Sequence, residues 1–410
     1  MPAPTLAVDF GTSNTAAAIL DGGTIRRLEI EPGSETLPTA VFFPMRGEMR
    51  IGSDAARALI EGEEGRYMRA LKSVLGAPLF HDPRLIAGRR RTLAQIVTAF
   101  LVTLRERAEA QTGHRFTRVL SGRPVQFHTG APDRDQQAEA DLRACYHAAG
   151  FETVDFLFEP EAAAIASRDA GAAGDIGLIV DIGGGTSDFT VFRGGESVEI
   201  LGSHGIRLGG TDFDHAVSMD HAMPLLGLGG QLRRTLADGL LPVPRGIYVD
   251  LSTWAMIPFL YTRETERMVE DMVKHAVDVP AMQRLATVIA DQLGHDLAFA
   301  VEAGKIAAND GTVRAAINMG MVAPGLAAPI SQASLARALA DSRLPLASAI
   351  RQTLFSAGVD PLSVGTVVLV GGSSLLSLVQ DEARAACTNA RLHRSEVFTA
   401  VVDGLALATG

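Results

Sequence analysis

Two aspartates, Asp9 and Asp181, stand at the ends of short apolar runs, and each is followed by a turn of glycine and hydroxyl residues. Gly11, Thr12, Ser13 and Asn14 follow the first; Gly183, Gly184, Gly185 and Thr186 follow the second. A third turn, Gly371-Gly372-Ser373, closes the apolar run 364–370. Glycine removes the Cβ that would hold a backbone amide away from a phosphate oxygen, and successive amides of this kind form anion cradles. A carboxylate beside such a cradle is favourable when a cation lies between them. Magnesium, held through one or two carboxylates, waters and phosphate oxygens, is the usual choice. The pattern points to phosphate chemistry with a metal ion. Ordinary tight turns with polar caps are the bland alternative for any one of the three.

Other chemistries lack their spacing. Gly304-Lys305 is followed by Ile306 and has no glycine upstream, so it is not a P-loop. "GGGTSD" puts Asp188 where a dinucleotide motif needs its third glycine. HExxH and GxSxG are absent. The 10 histidines are scattered, and His204 in "GSHGIRLGG" reads as a local hydrogen-bonder.

The elements that must position these residues alternate strand and helix. The chain has 410 residues, 47% hydrophobic and 20% charged, enough for a large core and two or three domains or one bilobal unit. A formal net charge of −10 argues against a nucleic-acid footprint. The N-terminus lacks a basic region and no apolar run reaches the ~20 residues of a membrane span. Cys145 and Cys387 show no metal or redox spacing, so a cytoplasmic location is expected. "TLAVDF" and "TAAAIL" predict strands around the first turn, and "LIVDIGGGTSDFTVF" repeats that theme, Asp181 matching Asp9. The repeat suggests a duplicated lobe. A strand over 118–127, helices over 95–113 and 133–150, and a helix opening at Pro160 are predicted between the copies. Beyond Asp214 lies a separate region with Trp254 and one helix from about Pro280 to Asn309. The Gly371-Gly372 turn is expected to open a helix directly, and a small-residue helix ends the chain.

Taken together, "VDFGTSN", "FEPEAAA", "VDIGGGTSDF", "IRLGGTDFD" and "VLVGGSS" resemble the actin-like ATPase superfamily, and specifically the nucleotide-binding domain of DnaK-type heat-shock chaperones. "SGRPVQF" and "MPLLGLGG" look most like its YegD-like branch. The resemblance implies a two-lobed α/β, ribonuclease H-like fold, each lobe a mixed sheet flanked by helices. Lobe I would span 1–172 with an insertion near 40–112; lobe II would span 173–410 with an insertion near 215–310. ATP or ADP with Mg2+ would sit between them. By position, Asp9 and Asp181 would hold the hydrated metal. Gly11 to Asn14 and Gly183 to Thr186 would wrap the phosphates, with Gly209, Gly210, Thr211, Gly371, Gly372 and Ser373 bordering the nucleotide. Glu159 would orient the attacking water, since phosphoryl transfer rests on positioning and charge stabilisation; its bland alternative is a helix-start carboxylate. Glu302 and Lys305, three apart on one helix face, would contact ribose and adenine with Asn309 near by; a surface ion pair is the alternative.

Departures from the family pattern are specific. Ile306 and Leu375 stand where two adenine-clamping arginines are expected, at a cost of about 1–2 kcal/mol in stacking. The phosphate-contacting lysine has two candidate positions, Arg57 and Lys72. No β-sandwich peptide-binding domain is expected in this sequence. The expected function is a chaperone-family module that binds ATP, hydrolyses it slowly and couples lobe closure to a protein partner or client, with no nucleic-acid or membrane partner. A nucleotide-gated scaffold with negligible turnover is the alternative, and a small-molecule kinase a weaker one.

Overall fold

The computed structural model describes residues 4–86, 88–128, 131–167, 175–195, 198–234, 238–394 and 399–410. The expected lobe boundary at 172/173 lies outside the described residues. The chain divides into two compact units, Met1–Gly210 with Ser342–Gly410, and Thr211–Asp341.

The first unit is mixed α/β and contains two sheets of one topology. In the first, β1 (Thr5–Phe10) and β2 (Asn14–Asp21) form the expected hairpin, and β3 (Thr24–Arg27) continues it antiparallel. β4 (Thr36–Pro38) also pairs with β2. On the other side of β1, β5 (Arg118–Arg123) and β6 (Thr153–Phe158) run parallel to it. The second sheet repeats this arrangement. β7 (Ile176–Ile182), β8 (Ser187–Arg193) and β9 (Glu199–Ile206) form the antiparallel meander. β10 (Val364–Val370) and β11 (Arg391–Arg394) extend it in parallel beyond β7. The short repeat around Asp9 and Asp181 thus marks equivalent hairpins in two equivalent sheets. Their central strands are buried on both faces, which explains uninterrupted apolar runs rather than alternation.

Two helices of small residues share the core with both sheets. The helix Glu159–Ala166 follows β6 yet packs on β7 and β8. The helix Ala400–Leu407 follows β11 yet packs on β1, β2 and β5. They also pack on each other, with Ala162, Ala163, Ala164, Val401, Val402 and Leu405 all buried. A Cβ on Gly404 would fall 1.7 Å from the Ala162 carbonyl oxygen, so only glycine permits this crossing. Pro160 sits in the first turn of its helix, where its missing amide costs nothing. The helix Leu93–Thr112 starts on a Thr92–Gln95 capping box and stops at Gly113 with φ 71°. An insertion between β4 and that helix holds a three-stranded sheet (Arg50–Ile51, Ala40–Pro44, Gly65–Arg69) and the hairpin Arg84–Ile86/Arg89–Arg91.

Three sequence expectations change. The strand expected over 118–127 ends at Arg123. Gly371-Gly372 opens a 3-10 turn, Gly372–Leu375, and the α-helix Ser377–Ala386 begins only after extended Leu376. In the second unit the single helix expected from Pro280 to Asn309 is two, Val279–Ala290 and Gly294–Asn309. Gln292 adopts φ 56° in the break, a left-handed conformation that no helix interior contains. That unit also contains the helix Arg263–His275, and it buries Trp254 edge-on against Phe299.

Candidate functional site

Asp181 is the last inward carboxylate of β7, and the chain turns immediately beyond it. The Gly183 amide donates to the Thr186 carbonyl at 3.1 Å, closing the turn into β8. Register then sets Asp188 directly opposite Asp181. Like charges across a strand pair are unfavourable by themselves, so the site must answer them.

The three glycines differ. A Cβ on Gly184 would stand 2.4 Å from Ser13 Oγ and 3.0 Å from Thr12 Cβ; one on Gly185 would stand 3.1 Å from Thr12 Oγ1. These two are glycine because the turn after β1 approaches them directly. A Cβ on Gly183 would meet nothing within 4 Å, so its face borders open space. The other turns close in around this point. Gly210 donates its amide to the Gly183 carbonyl at 2.9 Å. A Cβ on Gly209 would strike the Gly185 amide at 2.5 Å, and one on Gly210 would meet Ser373 Oγ at 2.6 Å. A Cβ on Gly371, whose φ is 76°, would lie 2.4 Å from the Ile182 carbonyl oxygen and 2.8 Å from Asp181 Oδ1. Gly11 to Asn14, Gly183 to Thr186, Gly209, Gly210 and Gly371 to Ser373 are therefore brought together. Thr211 opens the second unit.

Of the two candidate cations, Lys72 lies next to Glu159. Its Nζ donates to Glu159 Oε1 at 2.5 Å, and both side chains are buried. Glu159 itself lies over Gly122 of β5, where an added Cβ would come 3.1 Å from its Cγ. Arg57, the other candidate, is exposed on the helix Gly52–Ile60 and pairs with Asp54 at 3.2 Å. The structure sets Lys72, not Arg57, against Glu159.

Asp9, Glu159, Asp181, Asp188 and Lys72 form one electrostatic group. Asp9 keeps partial access to solvent, yet desolvation raises its carboxyl to about 7, with Glu159 adding to the rise and Lys72 opposing it. Asp181 is raised well above the carboxylate range by burial, then by Glu159, Asp188 and Asp9. Asp188 is raised to about 8 by burial and Glu159, against the Val125 amide, Lys72 and the Thr186 side chain. Burial pulls the Lys72 ammonium down, but Glu159, Asp9 and Asp188 outweigh it and raise it overall. Four carboxyl groups thus face one ammonium in a buried space, an excess of acid groups whose ionised form costs free energy unless a cation joins them.

That excess fits a divalent cation. Among the described residues no group of three or more His, Cys, Asp or Glu could hold a metal ion by itself. A magnesium ion here would need waters or phosphate oxygens to complete its shell, as this ion prefers. The open face of Gly183 beside Asp181 is compatible with phosphate oxygens.

In the second unit, Lys305 is not a solvated partner of Glu302. It is buried, and its Nζ donates to Asp214 Oδ1 at 2.7 Å. Trp254 Nε1 donates to Asp214 Oδ2 at 3.1 Å. Burial raises the Asp214 carboxyl, Lys305 lowers it and Glu302 raises it. Asn309 closes the helix that carries Glu302 and Lys305, and Ile306 is 51% exposed on it.

Sequence reasoning left Asp188 out of the site and put Arg57 before Lys72. One signal for Asp188 was available: in an antiparallel hairpin closed by "GGGT", the aspartates of "DIGGGTSD" must face each other.

Residues 84–225 match the family model of the Hsp70 protein. A chaperone protein DnaK from Endomicrobium trichonymphae is 30% identical over 220 residues, which are 52% of this chain and 34% of that protein. The chain thus matches about a third of that relative's length.

Proposed function

We propose that this chain, a member of the Hsp70/DnaK-type family with its actin-like ATPase fold, is a nucleotide-binding module that hydrolyses ATP slowly with magnesium. The observation that carries the reading is the buried group of four carboxylates and one lysine walled by glycine turns. Asp9 and Asp181 would hold the metal through water. Bound magnesium would neutralise charge on the phosphates. The amides of Gly11 to Asn14 and of Gly183 to Thr186 would orient the terminal phosphates, with Gly209, Gly210 and Gly371 to Ser373 keeping the surrounding backbone close. Lys72 would offer its ammonium to the phosphate while fixing Glu159. Glu159 would orient the attacking water, and positioning of this kind supplies most of the catalysis in phosphoryl transfer. We assign Arg57 no part in these steps.

Glu302, Lys305 and Asn309 remain our candidates for the nucleoside, with Lys305 shared by Asp214. That sharing, together with Ile306 and Leu375 in place of arginines, favours weak nucleotide affinity. We retain the assignment of two lobes, the YegD-like branch and a cytoplasmic setting, the last supported by two free buried thiols. No helix among the described residues is long and apolar enough to cross a membrane. Output to a protein partner or client completes the reading. Phosphate release from the wild type and Asp181→Asn tests it: turnover should fall by more than tenfold, and equal turnover rejects the catalytic assignment. Tight nucleotide binding without repeated turnover in the wild type would favour a nucleotide-gated scaffold.

A further inference from the structure

We infer that Asp141 is a positioning residue that holds the turn carrying Lys72 against Glu159. The inference deepens the nucleotide reading and rests on it for its effect on turnover. Lys72 lies on the 3-10 turn Leu71–Val74, which the chain enters through Ala70 at φ 59° and ψ 32°. A left-handed alanine costs free energy that surrounding contacts must offset. The turn therefore keeps its shape only while groups outside it hold it.

Side chains from three other places in the first unit do so. Arg207 donates to the Ser73 carbonyl at 3.2 Å, and His128 Nε2 lies 2.6 Å from the Leu75 carbonyl. On the amide side, Gly76 donates to Asp141 Oδ2 at 2.9 Å. Gly76 has φ 71° and rests directly on the helix Pro132–Ala148, where an added Cβ would stand 2.3 Å from the Arg134 carbonyl oxygen.

Asp141 is suited to this task because it is itself fixed. It is 3% exposed, and its other oxygen accepts from Gln137 Nε2 at 2.7 Å and lies 2.9 Å from His81 Nε2. Leu71, Leu75 and Phe80 are buried along the same stretch, but burial of apolar surface is non-directional. A hydrogen bond to a carboxylate is directional and sets how the backbone faces at Gly76, four residues beyond Lys72. Asp141 takes part in none of the steps proposed above and acts on them through the turn.

The test exploits a chain with three lysines, Lys72, Lys274 and Lys305. Native acetylation with N-hydroxysuccinimidyl acetate, read by mass spectrometry, should modify exposed Lys274 quickly and buried Lys72 and Lys305 slowly in the wild type. Asp141→Ala should speed labelling of Lys72 on the order of tenfold and leave Lys305 protected, because the Gly76 amide loses its buried acceptor. Asp141→Asn keeps an acceptor oxygen and should label like the wild type. Equal Lys72 labelling in the wild type and Asp141→Ala overturns the inference. A rise at Lys305 in step with Lys72 marks general unfolding. The decision then passes to His81→Ala/Gln137→Ala, which removes only the two donors on Oδ1; unchanged Lys72 labelling there overturns the inference. Phosphate release tests the effect on turnover: Asp141→Ala should lower it about tenfold in the wild-type background and not at all in Lys72→Met. Additive losses overturn action through Lys72. Wild-type turnover in Lys72→Met rejects the nucleotide reading, while the labelling still decides whether Asp141 holds the turn.

Discussion

Gly183 and Gly184 are adjacent and chemically identical, yet substitution to alanine should act on them in opposite ways. Neither has a left-handed φ, so alanine meets no backbone strain at either position. At Gly184 the new methyl would lie 2.4 Å from Ser13 Oγ, 3.0 Å from Thr12 Cβ and 3.2 Å from the Ser13 amide nitrogen. The hydroxyl can rotate away, but the backbone cannot, because the Thr39 amide holds the Ser13 carbonyl at 2.9 Å. Overpacking of this kind costs about 1–3 kcal/mol. Gly184→Ala should therefore lower the melting temperature of the nucleotide-free protein by a few degrees. At Gly183 the methyl meets nothing, and the loss of unfolded-state freedom should stabilise by about 0.4–1 kcal/mol. The same methyl enters the space left open beside Asp181. A ligand at a hundred times its Kd stabilises by about 2.7 kcal/mol, and Gly183→Ala should lose most of that gain with ATP and magnesium. Melting curves of three proteins, with and without nucleotide, are sufficient. If Gly183→Ala melts below the wild type without nucleotide, or keeps the full nucleotide shift, the open-face reasoning is wrong. If Gly184→Ala melts like the wild type, the two turns are not in contact.

Three further outcomes follow from buried charges. Lys305→Met leaves the Asp214 carboxylate unpaired and should cost about 3–5 kcal/mol in urea unfolding, much of it recovered in Asp214→Asn/Lys305→Met. Cys145 and Cys387, raised to about 11 by burial, should resist iodoacetamide at pH 8 until the protein unfolds, as read by mass spectrometry. His128 is lowered from 6.5, chiefly by desolvation; its Nε2 faces the Leu75 carbonyl at 2.6 Å and its Nδ1 faces Arg207 at 3.4 Å. Neutral His128 is favoured in the fold, so its contribution is present above about 6.5 and is lost as pH falls from there through its lower value in the folded state. Denaturation midpoints should fall with acid more steeply in the wild type than in His128→Gln, and parallel curves would refute this.

Local chemistry was the legible part. Glycine after an apolar run with a terminal aspartate identified both hairpins, because turn geometry is written in neighbouring residues. Gly113 and Pro160 marked helix ends for the same reason. What the sequence concealed depends on distant partners. Lys72 and Arg57 are both cations in the same insertion, and only folding puts one against Glu159, 87 residues away, and the other in solvent. Lys305 and Glu302 look like a surface pair by spacing, but Asp214 claims the lysine from 91 residues away. The helix break at Gln292 has no proline to announce it, since the left-handed residue precedes Gly294 by two.

At Gly404 the backbone of the helix Ala400–Leu407 lies against the Ala162 carbonyl with no side chain between them. Arg27 grips Asp403 through two bonds, at 2.8 and 2.7 Å, and so ties that helix to β3. The crossing is a gear without backlash: any shift of one helix must appear in the other, whose first residue is Glu159. Residues around 404 are not among those we assign to phosphate or metal, yet a random mutational screen for lost turnover should recover lesions there as readily as at the glycine turns.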